Sequence, residues 1–179
     1  MLHALLLAGT ALLAGARPGL AQPQVLALDP AHAEIGFRTY AFGVIPIDGG
    51  FSRFSGTLTI DPKAPAQCRI SVDVDVASLH MPDPAIRDDA LSANLLDARD
   101  FPKMAFDGIC RGEVIEGTLT LHGVALPLRL AIRSDPPHYG AEAALHRADW
   151  GIVGRPLMAG PTVRIRVSTT IAGLLDQAR

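Results

Sequence analysis

Residues 68–77 read CRISVDVDVA, with Cys68, Ile70, Val72, Val74 and Val76 on one parity and Arg69, Ser71, Asp73, Asp75 and Ala77 on the other. Side chains of a strand point alternately to its two faces, so the stretch predicts a strand with one apolar and one wet face. The same period of two recurs on either side. Upstream, Phe54, Leu58 and Ile60 share a parity, with Gly56 between them. Downstream, Leu119 with Leu121, then Leu126, Leu128, Leu130 and Ile132, and finally Val163, Ile165, Val167, Thr169 and Ile171 repeat it. Such alternation marks an antiparallel sheet with one solvated face.

One stretch departs from that period. In PAIRDDALSANLL, residues 84–96, Ile86, Ala90 and Leu91 fall at helical spacing and Leu95 follows one turn later, which predicts a single short helix from Pro84 to Leu96. With no partner helix in the chain, its apolar face is expected to cover one side or one mouth of the sheet. Asp88 and Asp89, beside Arg87, are read as complementing the dipole at the helix start. Asp48-Gly49-Gly50, Asp61-Pro62 and His122-Gly123 are turn signals at near-regular spacing, and short strands so separated predict a sandwich or a barrel.

Composition and the chain's start narrow the setting. Leu2 to Ala14 is an almost unbroken Leu/Ala/Gly run, followed by Arg17, Pro18 and Gly19-Leu20-Ala21. Residues 1–21 are therefore expected to be a secretory signal peptide, cleaved after Ala21, with one domain over 22–179. The apolar run is shorter than the ~20 residues that span a bilayer. Formal net charge is −2, and Lys and Arg are scattered without a stripe, so nucleic acid is not an expected partner. No basic amphipathic helix argues for a membrane surface.

The two cysteines, Cys68 and Cys110, would travel to an oxidising compartment, where pairing is the expectation and two buried thiols the alternative. If the strand from Cys68 pairs antiparallel with Met104 to Cys110, positions whose numbers sum to 178 face each other. Val72 then faces Phe106, Val74 faces Met104, and Cys68 faces Cys110 on the same apolar side. Facing strand positions meet the Cα separation of about 4.4–6.8 Å that a disulfide requires.

No catalytic or metal constellation emerges. His32, His80, His122, His138 and His146 form no pair at ligand spacing and read as exposed or turn histidines. There is no G-x-S-x-G elbow, and Ser55-Gly56 falls on a strand, so nucleophilic catalysis is not expected. Asp73, Asp75, Glu142 and Asp149 read as wet sides of strands.

Six phrases in order, LDPAHAEIGF, GGFSRFSGTLTID, VASL, IRDDALSANLLDARDFPKMAF, GTLTLHGVALPLRL and RADWGI, resemble the YceI-like family of periplasmic lipid-binding proteins and cover nearly the whole chain after residue 21. The resemblance implies an all-β fold, an extended eight-stranded antiparallel lipocalin-like barrel with one short helix, that holds a polyisoprenoid or an isoprenoid quinone or its precursor. Eight strands enclose room for about one small ligand. The chain departs from the family pattern at Ala33, where Ser is usual, and in RTYAFGV, residues 38–44, where a His often precedes the Gly. Both changes remove polar groups near the barrel's start.

The expected lining follows from parity. It comprises Phe37, Phe42, Phe54, Leu58, Val72 and Val74, then Met104, Phe106, Leu119, Leu121, Leu128 and Leu130, and finally Trp150, Ile165 and Val167. About half are expected to touch ligand and the rest to be packed core. Two functions stay open. One is non-enzymatic carriage or storage of an apolar isoprenoid lipid or quinone in the periplasm, with no other cofactor; the other is a scaffold or interaction module docking on a membrane cytochrome. The run of small and β-branched inward residues favours the first and the aromatic content of 5% the second. Monomer and homodimer are both compatible with the sequence.

Overall fold

A computed structural model describes residues 23–61, 64–135 and 138–170. The predicted signal peptide therefore lies outside the described residues, as do Pro62 and Ile171. The strands are β1 (Gln24–Leu28), β2 (Ala33–Ala41), β3 (Ile45–Phe51), β4 (Phe54–Asp61), β5 (Ala64–Asp75) and β6 (Leu79–His80), then helix α1 (Pro84–Leu91), and β7 (Lys103–Arg111), β8 (Val114–Leu121), β9 (Val124–Asp135), β10 (His138–His146) and β11 (Thr162–Thr170). All eleven form one antiparallel sheet in the order β1-β4-β5-β7-β8-β9-β10-β11-β2-β3-β6.

Eleven strands and the expected eight are reconciled by three bends. β1 runs into β2 through residues 29–32, β3 into β4 through Ser52 and Arg53, and β5 into β6 through the 3₁₀ turn Val76–Ser78. Each pair is one long strand turned at a corner, and the bent pairs carry the chain from one end of the sheet order to the other. Local bonds pin the corner. Asp75 accepts from Ala77 N–H at 2.9 Å, Ser78 Oγ donates to Asp75 O at 2.6 Å, and Arg53 pairs with Asp75 at 2.9 Å.

The register between β5 and β7 is the one expected, with Val72 opposite Phe106 and Val74 opposite Met104. Cys68 and Cys110 are disulfide-bonded, with Cα atoms 4.7 Å apart. β9 and β10 pair only from Ala131 to Asp135 against His138 to Glu142. Above that, Val124 to Leu130 pairs with β8 alone among the described residues, which accommodates Pro127, a residue with no N–H to give a central ladder.

Asp48-Gly49-Gly50 is not a turn but part of β3; the β2–β3 turn lies at Phe42 to Val44. Packing explains those glycines, since a Cβ at Gly49 would stand 2.5 Å from Phe37 Cζ and one at Gly50 2.7 Å from the His80 ring. The helix is also shorter than expected and stops at Leu91, where Ser92 turns its own Oγ and N–H back onto Asp89 O. Its cap is Asp83, which accepts from Ala85 and Ile86 N–H. Asp88 and Asp89 lie beyond the first turn, so they do not complement the dipole at its start; Asp89 instead pairs with Arg155 at 2.6 Å. Asp149 sits in a 3₁₀ turn, Arg147–Trp150, and not on a strand.

Candidate functional site

Parity sends the apolar positions inward, where they build two clusters. One centres on Leu119, Leu121, Leu128, Leu130 and Trp150, the other on Leu28, Phe51, Phe54, Val74 and Leu79. Leu58, Ile70, Leu96 and Met104 pack against both, so the interior is continuous. α1 contributes Ala90 and Leu91 to the second cluster, whereas Ile86 on the same predicted face is 41% exposed. The helix therefore covers the interior with its last turn only.

Most of the expected lining is brought together here. Phe54, Val74, Leu119, Leu121, Leu128, Leu130 and Trp150 are buried, and Phe37, Leu58, Val72, Met104, Phe106, Ile165 and Val167 are half-buried. Phe42 is the correction. It takes a positive φ of 51° in the β2–β3 turn and is 62% exposed, because the strand ends at Ala41 and parity no longer applies.

Parity reasoning also missed residues. Phe51 and Leu79 are buried, but the bends inserted at 52–53 and 76–78 break the count that links them to Phe54 and Val74. Ile115 and Leu145 obey simple alternation and were legible in VIEGTLTL and AEAALH.

The Phe37 and Phe106 rings lie along the wall. A Cβ at Gly117 would stand 2.5 Å from Phe106 Cζ, one at Gly108 2.8 Å from the same ring, and one at Gly49 2.5 Å from Phe37. Each of these two rings thus covers a glycine on its own or the neighbouring strand.

A cleft of about 730 Å³ runs along β2, β3, β10 and β11, within the range of small-molecule sites at about 300–1,000 Å³. Phe37, Phe54 and Ile165 border it, together with Ile35 and Phe51. Its polar border is a cross-strand ladder. Glu142 accepts from Arg166 Nε at 2.7 Å and Arg133 Nε at 3.3 Å, and Asp48 accepts from Arg38 Nε at 2.6 Å and Nη2 at 2.9 Å. The hydrogen bond from Arg166 holds the Glu142 carboxyl below its ordinary range, and that from Arg38 does the same for Asp48. Arg164 rests over Tyr40, 5.9 Å from the ring centroid.

The histidines are dispersed. His32 Nδ1 is 2.7 Å from Asp29, the His122 ring in its turn lies 4.2 Å from that of Phe101 and tilted to it by 48°, and His80, His138 and His146 are exposed. Among the described residues no three His, Cys, Asp or Glu stand together as a metal site, and no helix is long and apolar enough to cross a membrane.

A less obvious residue organises the β10–β11 connection. Arg147 is buried and donates to the carbonyls of Ile152 (2.7 Å), Ala159 (2.9 Å) and Gly160 (2.9 Å), and burial pushes its guanidinium pKa down. Trp150 Nε1 donates to Leu119 O at 3.2 Å. Both stand in the phrase RADWGI, but nothing in alternation singles out a buried arginine.

An antiparallel barrel of bent strands, apolar within and carrying one short helix at its mouth, defines the lipocalin-like class of binding folds. The chain belongs to the YceI-like domain family, whose sequence model matches residues 26–171. It is similar to a UPF0312 protein of Pseudomonas putida (strain W619), 32% identical over 163 residues covering 82% of this chain and 84% of the relative. A UPF0312 protein of Photorhabdus laumondii is 35% identical over 126 residues, 67% of this chain, and the chain spans only 65% of that relative's length.

Two solved structures share the fold. BcnA of Burkholderia cenocepacia superposes with a TM-score of 0.63 at 19% identity, covering 79% of this chain and 97% of that one. A polyisoprenoid-binding domain from Saccharophagus degradans, implicated in plant cell wall breakdown, superposes at 0.57 with 14% identity, covering 83% and 99%.

Proposed function

We propose that this chain binds an apolar isoprenoid-type lipid, a polyisoprenoid or an isoprenoid quinone or its precursor, and carries or stores it in the periplasm without catalysing a reaction. The observation that carries this reading is the continuous apolar interior, in which the Phe37 and Phe106 rings lie over glycines of the wall. The fold shared with a polyisoprenoid-binding domain supports it. Removal of residues 1–21 on export belongs to the same reading, and the Cys68–Cys110 disulfide suits an oxidising compartment.

Affinity needs no polar constellation. Each buried CH₂ contributes roughly 0.8 kcal/mol, so about ten supply some 8 kcal/mol before ordering costs. The reading makes apolarity of the interior, and no single histidine, the determinant. Chain isolated from bacterial periplasm is expected to show added lipid mass by native mass spectrometry. Leu121→Asp and Phe106→Asp, if folded by circular dichroism, should lose it, because an unpaired charge among apolar walls costs several kcal/mol or draws in water. His80→Ala and His122→Ala should change retention by less than about tenfold, or 1.4 kcal/mol. A histidine variant without lipid beside a folded Leu121→Asp variant that keeps it would overturn the reading.

A further inference from the structure

We infer that the helix-bearing end of the barrel docks on an anionic lipid bilayer through an apolar rim made by Phe42 and Val44 of the β2–β3 turn, Ile45 at the start of β3, and Val153, Leu157 and Met158 of the β10–β11 connection. The inference rests on the lipid-carrier reading and adds the surface through which cargo is exchanged. All six are exposed, Val44 at 75% and Leu157 at 78%. Isolated exposed apolar residues need no explanation, but six on two touching loops do.

The loops touch directly. Phe42 N–H donates to Leu157 O at 3.2 Å, and Gly160 packs so closely on β2 that a Cβ there would stand 2.6 Å from Tyr40 O. Nor is the exposure a consequence of a loose loop. Arg147 grips Ile152, Ala159 and Gly160, Arg155 pairs with Asp89 of α1, and Met158 N–H closes a turn onto Arg155 O. The fold spends buried polar bonds to hold apolar side chains outward.

The surroundings fit an interfacial anchor. Directly behind the β2–β3 turn, Tyr40 and Arg164 stack, and among the described residues Arg164 makes no ion pair. An aromatic and a cation just above apolar tips is the arrangement that settles at headgroup level. On the adjoining wall Arg38 pairs with Asp48, and Arg133 and Arg166 pair with Glu142, which leaves Arg164 as the wall arginine available to a headgroup phosphate. Of the carboxylates at this end, Asp83 caps α1, Asp88 pairs with Arg87 at 3.0 Å and Asp89 with Arg155 at 2.6 Å. The rim also continues inward, since Phe42 follows buried Ala41 and Val153 follows buried Ile152.

The test is flotation of the full chain with vesicles of phosphatidylcholine, with and without phosphatidylglycerol, with native mass spectrometry of the same preparations. Wild type is expected to float with phosphatidylglycerol vesicles. The Phe42→Ser/Leu157→Ser double variant should partition at least about tenfold less, and Arg164→Gln should lose only the phosphatidylglycerol-dependent part. Cargo retained with no flotation, or equal flotation of wild type and the double variant, overturns the docking surface. Flotation of a chain without cargo supports docking and defeats the carrier reading alone. A wild-type dimer that the double variant converts to monomer, with neither floating, assigns the rim to a second copy and overturns the inference.

Discussion

Arg147 offers the sharpest test of how the mouth of this barrel is held. Its guanidinium donates to three carbonyls, of Ile152, Ala159 and Gly160, and its own N–H donates to Pro161 O at 3.0 Å, so one residue ties both ends of the connection that leads to β11. Arg147→Met keeps the aliphatic stem and leaves the three carbonyls without that donor. Arg147→Lys keeps the charge but cannot reproduce the planar fork. Hydrogen bonds to a charged donor contribute about 1.5–3 kcal/mol each. Three would reach several kcal/mol, but removing a buried charge recovers part of this through its desolvation cost. A net loss of roughly 3 kcal/mol remains for the Met variant, near the upper end of ordinary single-substitution effects. At roughly 2–4 °C per kcal/mol for a domain of this size, melting should fall by about 6–12 °C. Thermal unfolding followed by circular dichroism, on oxidised protein, reads the shift. A Met variant melting within about 2 °C of wild type would refute the reasoning, since the carbonyls would then be satisfied without Arg147.

The disulfide and the carboxylate ladder yield two more expectations. Cys68→Ser/Cys110→Ser opens a link across 42 residues of sequence and should cost about 4 kcal/mol in the chain-entropy model, measurable as a urea-midpoint shift; two free thiols in denatured, unreduced wild type would contradict the bond. Arg166 beside Glu142, Arg38 beside Asp48 and Arg53 beside Asp75 hold these carboxyls below their ordinary values of 4.5, 3.8 and 3.8. Groups depressed in the folded state stabilise it above those values and lose that contribution as pH falls through the folded ones. Urea stability should therefore decline below about pH 4.5, less steeply in Glu142→Gln, and an unchanged acid limb in that variant would show that its pairing with Arg166 contributes nothing to folding.

Much of the fold was legible because strand parity is a local property. CRISVDVDVA displays its inward face without reference to any other residue, and adding one apolar-to-apolar register to it placed Cys68 against Cys110. What was illegible depends on partners that are distant in sequence. Gly49 and Gly50 have the composition of a turn, and only the positions of Phe37 and His80 make them strand residues. Phe42 looked inward until the strand's end at Ala41 was known. Phe51 and Leu79 are separated from their neighbours by bends that shift parity, and Arg147 is buried by carbonyls that alternation does not register.

The partial ladder between β9 and β10 gives the barrel the mechanics of a tube slit part way along one side. Closing a tube with hydrogen bonds over its whole length fixes its girth, because widening it must break a ladder. Here the slit runs beside Val124 to Leu130, and Pro127 cannot stitch it shut. Trp150, bonded across to Leu119, is the latch beside it. Such a tube can widen by flexing its lips with every existing strand pair intact, so its girth is set by the stiffness of one seam.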